Sequence, residues 1–154
     1  LEKGADLGVQ PIGLGARDTL RTEMKYSLYG HEINDVLNPF AAGLGWVIKP
    51  QKKDFLGRGI MMEQKEKGLP QKLIGFVLED KGIPREGYEV FSFDNRKIGK
   101  VTSGTMSPSL QLSIGIAYVD AEFAHEGAEF KVDIRGRGAK AKVVKTPFVK
   151  PKGA

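Results

Sequence analysis

The second half of the chain alternates short apolar runs with turn-forming residues, and this pattern restricts the fold more than any other feature. Most of the runs are rich in β-branched or aromatic residues, and they are Leu73–Leu78, Tyr88–Phe93, Ile98–Val101, Leu112–Val119, Phe130–Ile134 and Ala139–Val144. Phe130, Val132 and Ile134 alternate with charged residues, which is the period of a half-buried strand. Six strands at this spacing predict a small antiparallel barrel or sandwich.

The first 69 residues carry a mixed pattern instead. Apolar spacing predicts a helix from about Ala16 to Lys25 and a second helix from Phe55 to Lys67, with Asp54 as its N-cap. A short helix over residues 39–42 and short strands at 9–12 and 46–48 are also predicted. We therefore predict an α+β chain in three parts: a piece of a mixed α/β region over residues 1–53, a connecting helix over 54–69 and a β-barrel domain over 70–154.

Composition excludes several kinds of site. The 154 residues include no cysteine, so disulfides, thiolate zinc sites and cysteine nucleophiles are excluded. The two histidines, His31 and His125, are far apart in sequence, and no apolar run approaches the roughly 20 residues of a membrane helix. We therefore expect an intracellular chain that binds neither a metal ion nor a membrane.

The charge of the chain is uneven. The formal net charge is +5, but residues 135–154 hold seven of the 24 basic residues and no acid. The remaining 134 residues are slightly acidic, with 17 basic against 19 acidic side chains. A basic tail could bind a polyanion, although Phe148 is its one aromatic residue. The chain also begins at Leu1 in a helix-like segment, from which we expect that it enters partway through a longer protein.

No complete catalytic set is visible in the sequence. The turn Gly13-Leu14-Gly15 lacks the third glycine of a dinucleotide fingerprint, because Asp18 stands at that position. The hydroxyls of Ser103 and of Ser107-Pro108-Ser109 are predicted to lie in a polar hairpin or loop. His31 is predicted to be a cap or surface residue, with a general base or a ligand as the alternative, and His125 is a turn candidate.

Arg17 is the strongest binding candidate among the individual residues. It is predicted on the first turn of a helix that follows the glycine turn. An arginine at this position can offer a planar fork of donors to a carboxylate or to a carbonyl-rich heterocycle. The alternative is that Arg17 pairs with Asp18 or Glu23, or that it lies exposed.

Several strings stand out, in this order along the chain: Gly13–Arg21, Leu28–Ile33, Pro39–Trp46, Asp54–Arg58, Lys97–Gly104, Ser107–Leu110, Ile116–Val119 and Pro147–Val149. Together they resemble the glycine cleavage T-protein family of aminomethyltransferases. The resemblance implies the C-terminal portion of a protein more than twice as long, built from a folate-binding α/β region and a C-terminal β-barrel. The family moves an aminomethyl group from a lipoyl arm, passes its methylene to tetrahydrofolate and releases ammonia.

The resemblance also implies site residues and partners. It assigns Arg17 to the folate site, and Lys152 is the candidate for a folate-lining position near the C-terminus. The carboxylates that organise the reaction belong to the N-terminal half, so no catalytic residue is expected in this chain. Tetrahydrofolate is expected as substrate without a metal, with the lipoylated H-protein and the N-terminal half of the same protein as partners. The expected location is the cytoplasm, or the mitochondrial matrix for a eukaryotic source, and no nucleic acid is expected as a partner.

Two other interpretations remain open from the sequence. The chain could be the C-terminal module of another folate-dependent protein, either a demethylating oxidoreductase or a folate-binding repair protein. It could also be a non-catalytic β-barrel binding module whose basic tail contacts RNA or an acidic protein.

Overall fold

The computed structural model describes residues 1–150, and a closed six-stranded antiparallel barrel forms most of it. Two α-helices precede the barrel, α1 (Leu14–Glu23) and α2 (Arg58–Lys67). The barrel strands are β1 (Gln71–Leu78), β2 (Glu89–Phe91), β3 (Lys97–Ser107), β4 (Leu112–Asp120), β5 (Glu129–Ile134) and β6 (Arg137–Val144). Their order around the barrel is β1-β4-β3-β2-β5-β6, and β6 pairs with β1 to close it. The α+β prediction is confirmed. Because the sheet is closed, the β part is a barrel and not a sandwich.

Inward-facing apolar side chains fill the barrel. In β5, Phe130 and Val132 are fully buried, whereas the charged residues beside them, Glu129, Lys131 and Asp133, are partly exposed, as the alternation predicts. The rings of Phe76 and Phe130 meet edge to face, with centroids 5.5 Å apart and an interplanar angle of 70°. Closure pairs β1 with β6 over Gly75–Leu78, and earlier in β1 the backbone nitrogen of Leu73 donates to the carbonyl of Ala41 in the N-terminal segment at 2.9 Å.

Strand β3 is longer than the sequence predicts. It continues past Val101 to Ser107, so Ser103 and Ser107 lie in the first strand of the β3–β4 hairpin rather than in a loop, and Pro108 and Ser109 lie in its turn. The prediction of a polar hairpin is therefore confirmed. The register against β4 shifts between Val101 and Ser103, which marks a β-bulge at Thr102. The strand tolerates these polar residues because their hydroxyls are bonded: that of Thr102, for example, donates to the carbonyl of Ile116 at 3.1 Å.

The first 69 residues contain less regular structure than predicted. The predicted strands at 9–12 and 46–48 are wrong, because the backbone at both places forms local bonds, such as Val9 N to Gly4 O at 3.1 Å, and no strand within residues 1–150 pairs with either of them. Residues 39–42 form turns rather than a helix. Helix α2 begins at Arg58 rather than Phe55, after Gly57 with a φ of 81°, so Asp54 is not its cap. The three-part division of the chain into domains stays a prediction.

The outer face of the barrel carries part of the N-terminal segment. Leu73, Ile116 and Tyr118 form a small apolar cluster outside the barrel, against which Leu37 and Ala41 pack. Helix α1 contacts β3 and β4 on the same side of the molecule. Among residues 1–150, no helix has both the length and the apolar character that crossing a bilayer requires.

Close packing of β3 on β4 leaves no room for a side chain at Gly99. A Cβ built there would lie 2.0 Å from the Tyr118 carbonyl oxygen, which is backbone and cannot move aside. We expect Gly99→Ala to lower the free energy of unfolding by about 1–3 kcal/mol, measured by urea denaturation of the purified chain. The control is Gly138→Ala in β6, where the nearest atom belongs to the flexible side chain of Lys131 at 3.3 Å. Equal stability of the two variants would contradict this packing.

Candidate functional site

Helix α1 has a buried half and an exposed half. Its last residues, Arg21, Thr22 and Glu23, are buried against the barrel, whereas its first turn is exposed. Arg17 is among the exposed residues, and within residues 1–150 no ion pair to it is found. Pairing of Arg17 with Asp18 or Glu23 is therefore not observed, and exposure is the alternative that the structure of residues 1–150 shows.

Arg21, one turn further along α1, is the arginine that the barrel holds. Its Nη1 donates to Glu32 Oε2 at 2.9 Å, and its Nη2 donates to Ser103 Oγ at 2.8 Å. Its Nε donates to Asp18 Oδ1 at 2.7 Å. The Arg21 side chain is only 9% exposed, so its charge-assisted bonds to Glu32 and Ser103 form largely away from water, whereas Asp18 is half exposed.

Glu32 is the centre of this cluster and is fully buried. Besides Arg21, its carboxylate accepts from Ser103 Oγ at 2.5 Å and from the backbone nitrogen of Leu28 at 2.9 Å. The Tyr118 hydroxyl donates to the Glu32 carbonyl at 2.8 Å, and burial together with the Glu32 charge raises the pKa of Tyr118 to about 12. Burial lowers the pKa of Lys25, and the negative charge of Glu32 opposes that effect. A buried carboxylate is stable only with such partners.

Glu23 makes a second buried connection between α1 and the barrel. Its carboxylate accepts from Ser107 Oγ at 2.5 Å and from Ser109 Oγ at 3.0 Å. Its backbone carbonyl accepts from the backbone nitrogens of Phe148, at 2.9 Å, and Val149, at 3.3 Å. The end of α1 therefore contacts both the turn after β3 and the segment that follows β6.

His31 lies beside a crevice of about 300 Å³ between the N-terminal segment and the barrel. Its Nδ1 is 3.3 Å from the carbonyl oxygen of Thr102, the bulge residue, and 3.4 Å from a carboxylate oxygen of Glu86. Lys100 and Tyr118 also line the crevice. His125 is in an exposed turn near the other end of the chain. Within residues 1–150, no group of three or more His, Cys, Asp or Glu side chains is arranged to hold a metal ion.

The structure thus separates the predicted site residues from the buried polar cluster. Arg17 is exposed beside the cluster, and Lys152 lies outside the described residues. The sequence did not reveal that Glu23, Glu32, Ser103 and Ser107 belong to one cluster. One signal was available: Ser103, Thr105 and Ser107 alternate along a strand, so their hydroxyls share one face. The carboxylates that meet this face are distant in sequence and gave no comparable signal.

Comparison with known proteins supports the same family over both parts of the chain. Residues 71–150 match the model of the glycine cleavage T-protein C-terminal barrel domain, and residues 1–52 match that of the GCVT N-terminal domain. The chain belongs to the glycine cleavage T-protein family. The recognition made from the sequence is confirmed.

Relatives of this family cover the chain almost completely. An aminomethyltransferase of Bdellovibrio bacteriovorus is 66% identical over 149 residues, which are 97% of this chain and 41% of that protein. An aminomethyltransferase of Phocaeicola vulgatus is 51% identical over 97% of this chain and 42% of its own length. The crystal structure of the glycine cleavage system aminomethyltransferase T from Bartonella henselae matches with a TM-score of 0.89 and 31% identity, over 95% of this chain and 41% of that one. The chain thus spans about two fifths of the length of these relatives.

The buried position of Glu32 leads to a stability prediction for this T-protein family chain. Glu32→Ala leaves the Arg21 guanidinium buried without its main counter-charge, so we expect a loss of about 3 kcal/mol or more in the free energy of unfolding. Urea denaturation at neutral pH measures the loss. The control is Glu122→Ala, because Glu122 is 61% exposed and pairs with Arg96 at the surface, where the loss should stay below about 1 kcal/mol. Similar losses in the two variants would show that the buried pair does not stabilise the fold.

Proposed function

We propose that this chain is the C-terminal part of an aminomethyltransferase of the glycine cleavage system. In this reaction the carrier's lipoyl arm presents an aminomethyl group, the methylene passes to tetrahydrofolate and ammonia leaves. The observation that carries the proposal is the match to both family domains in order, with 66% identity to a curated aminomethyltransferase. The alternative folate-dependent proteins have no such support among the relatives named above.

Arg17 is the residue of this chain that we assign to the folate site. Its guanidinium is exposed, while the neighbouring Arg21 is occupied by Asp18, Glu32 and Ser103. An exposed guanidinium fits tetrahydrofolate, because that molecule carries carboxylates and a ring carbonyl that can accept paired N–H bonds. Lys152 stays a candidate for the same site on the strength of the family resemblance alone.

The other side of the proposed site has to come from another part of the protein. Leu14 and Leu20, each three residues from Arg17 on α1, are 81% and 62% exposed, and Ile12, just before the helix, is 75% exposed. Trp46 and Leu56 are also exposed. Apolar side chains exposed together are typical of a surface that another element covers. We assign that role to the remaining three fifths of the relatives' length, which corresponds to the N-terminal half expected from the sequence.

The reaction depends mainly on how the two reactants are positioned. The accepting nitrogen of folate has to lie near the sulfur-bound carbon of the loaded arm while water is excluded. In our proposal this chain binds folate through Arg17 and supplies one wall of the site, while the groups that assist bond exchange lie in the N-terminal half. The lipoylated H-protein is the proposed partner and the cytoplasm the proposed location.

The interpretation as a basic, RNA-binding module has less support. Lys140, in the basic tail, is 3.0 Å from a carboxylate oxygen of Glu79 and 3.1 Å from one of Glu129. These acidic partners reduce the positive charge that the tail offers to a polyanion. Salt titrations would separate the two interpretations. RNA affinity should fall steeply as salt rises, because many phosphate contacts are involved, whereas tetrahydrofolate affinity, with a single ionic contact at Arg17, should fall much less.

The role of Arg17 is tested in the full-length protein that contains this chain. We expect Arg17→Ala to raise the Kd for tetrahydrofolate by about tenfold or more, because a charged bidentate contact contributes roughly 1.5–3 kcal/mol. Fluorescence titration measures the affinity, and turnover is followed with loaded H-protein. Residues 1–154 alone should give no turnover.

The matched control is Arg85→Ala, which removes another exposed arginine from the barrel. We expect this variant to keep the affinity and the turnover of the unmodified protein. If Arg17→Ala and Arg85→Ala bind tetrahydrofolate equally well, Arg17 is not part of the folate site. Turnover by residues 1–154 alone would contradict the proposed need for the N-terminal half.

A further inference from the structure

One face of strand β3 holds helix α1 through hydroxyl groups. We call Ser103, Thr105 and Ser107 the hydroxyl face, and each of them contacts a side chain of α1. Ser103 accepts from Arg21 at 2.8 Å, and Ser107 donates to Glu23 at 2.5 Å. Thr105 and Thr19 bring their hydroxyl oxygens to 3.3 Å. Ser103 and Ser107 are buried, so water does not readily replace these contacts.

All of these contacts are made by the second half of α1. The first turn, which carries Arg17, is exposed, and the N-cap residue is Gly13, which has no side chain to cap the helix. Nothing within residues 1–150 therefore fixes the N-terminal end of α1 directly. Its position depends on how the helix is held from Thr19 onward.

Helix geometry connects the two ends. Arg17 and Arg21 are four residues apart, so their side chains point in directions about 40° apart and lie about 6 Å apart along the axis. A rotation or tilt of α1 on β3 therefore moves Arg17 with it. Ser103 resists such movement especially well, because it bonds to Arg21 and also donates to the buried Glu32 carboxylate at 2.5 Å.

We propose that Ser103 and Ser107 are positioning residues for the folate site: through Arg21, Glu32 and Glu23 they set the orientation of α1 and so the direction in which Arg17 is presented. This inference rests on the proposed function, because it assigns Arg17 to folate. It goes further by giving barrel residues that do not touch the ligand a role in its affinity. The expected result of losing either hydroxyl is weaker folate binding with a barrel that is still folded.

The test uses Ser103→Ala and Ser107→Ala in the full-length protein. We expect each variant to raise the Kd and the KM for tetrahydrofolate by about fivefold, corresponding to one lost hydrogen bond, while kcat at saturating folate changes less than about twofold. The two variants remove different contacts, so either of them tests the proposal if the other does not fold.

The matched control is Ser113→Ala. Ser113 is also a buried serine in a barrel strand, but its hydroxyl donates to the carbonyl of Gly82 at 2.5 Å and does not contact α1. This variant should lose a comparable amount of stability in urea denaturation and keep the folate Kd within about twofold. A rise in Kd that equals the rise in the Ser103→Ala variant would show that general loss of stability, not positioning, weakens binding, and would overturn the inference.

A double-mutant cycle decides whether Ser103 acts through Arg17. In an Arg17→Ala background, Ser103→Ala should have little further effect on the folate Kd, because the residue it positions is gone. The same loss in both backgrounds would overturn the positioning role. If Arg17→Ala weakens binding but both serine variants bind like the unmodified protein, this inference alone is wrong. If Arg17→Ala itself binds normally, the proposed role of Arg17 and this inference are both wrong.

Discussion

The contacts of the buried Glu32 carboxylate hold the N-terminal part of the chain on the barrel, and the relation between the two parts depends on them. A fully buried charge must be paired and hydrogen-bonded, or the folded state becomes unstable. Glu32 meets this requirement with Arg21 from α1, Ser103 from β3 and the backbone of Leu28, and its carbonyl is held by Tyr118 from β4. One buried residue therefore connects a helix, a loop and two barrel strands, and movement of α1 away from it would leave a buried charge unpaired.

The two parts of the chain differ in how far they stabilise themselves. The barrel closes its own sheet and fills its interior with apolar side chains. The first 69 residues bury few apolar side chains, and they keep their place largely through polar contacts with the barrel and a small outer cluster of Leu73, Ile116 and Tyr118. This difference fits a chain in which the barrel is a support and the N-terminal segment contributes one wall of a larger site.

The sequence predicted the barrel strands well, because the signals for a strand lie in residues that are neighbours in the sequence. Alternation in residues such as Phe130 and Val132 and the turn formers between runs were enough to identify all six strands, although closure into a barrel needed the structure. The same local reasoning failed at residues 9–12 and 46–48, where an apolar run has no partner strand in the part of the chain that the structure describes. It also ended β3 too early, because the polar residues after Val101 are paired by Glu32 and Glu23, which are far away in sequence.

The candidate site shows the same limit. The family resemblance selected Arg17, and that assignment stays a prediction because the structure of residues 1–150 leaves the guanidinium exposed. The cluster that holds α1 could not be predicted from spacing, since its bonded members lie up to 86 residues apart. Only the alternation of Ser103, Thr105 and Ser107 indicated that one face of β3 would meet polar partners.

Native-state hydrogen exchange tests most directly whether the buried carboxylate holds α1 on the barrel. The measurement compares the amides of residues 19–23 with those of β5, in the unmodified chain and in Glu32→Gln. The account predicts that Glu32→Gln lowers the protection of the α1 amides by about tenfold or more beyond any change in β5, because local opening of α1 becomes easier. Equal changes in α1 and β5, or unchanged protection of α1, would contradict it.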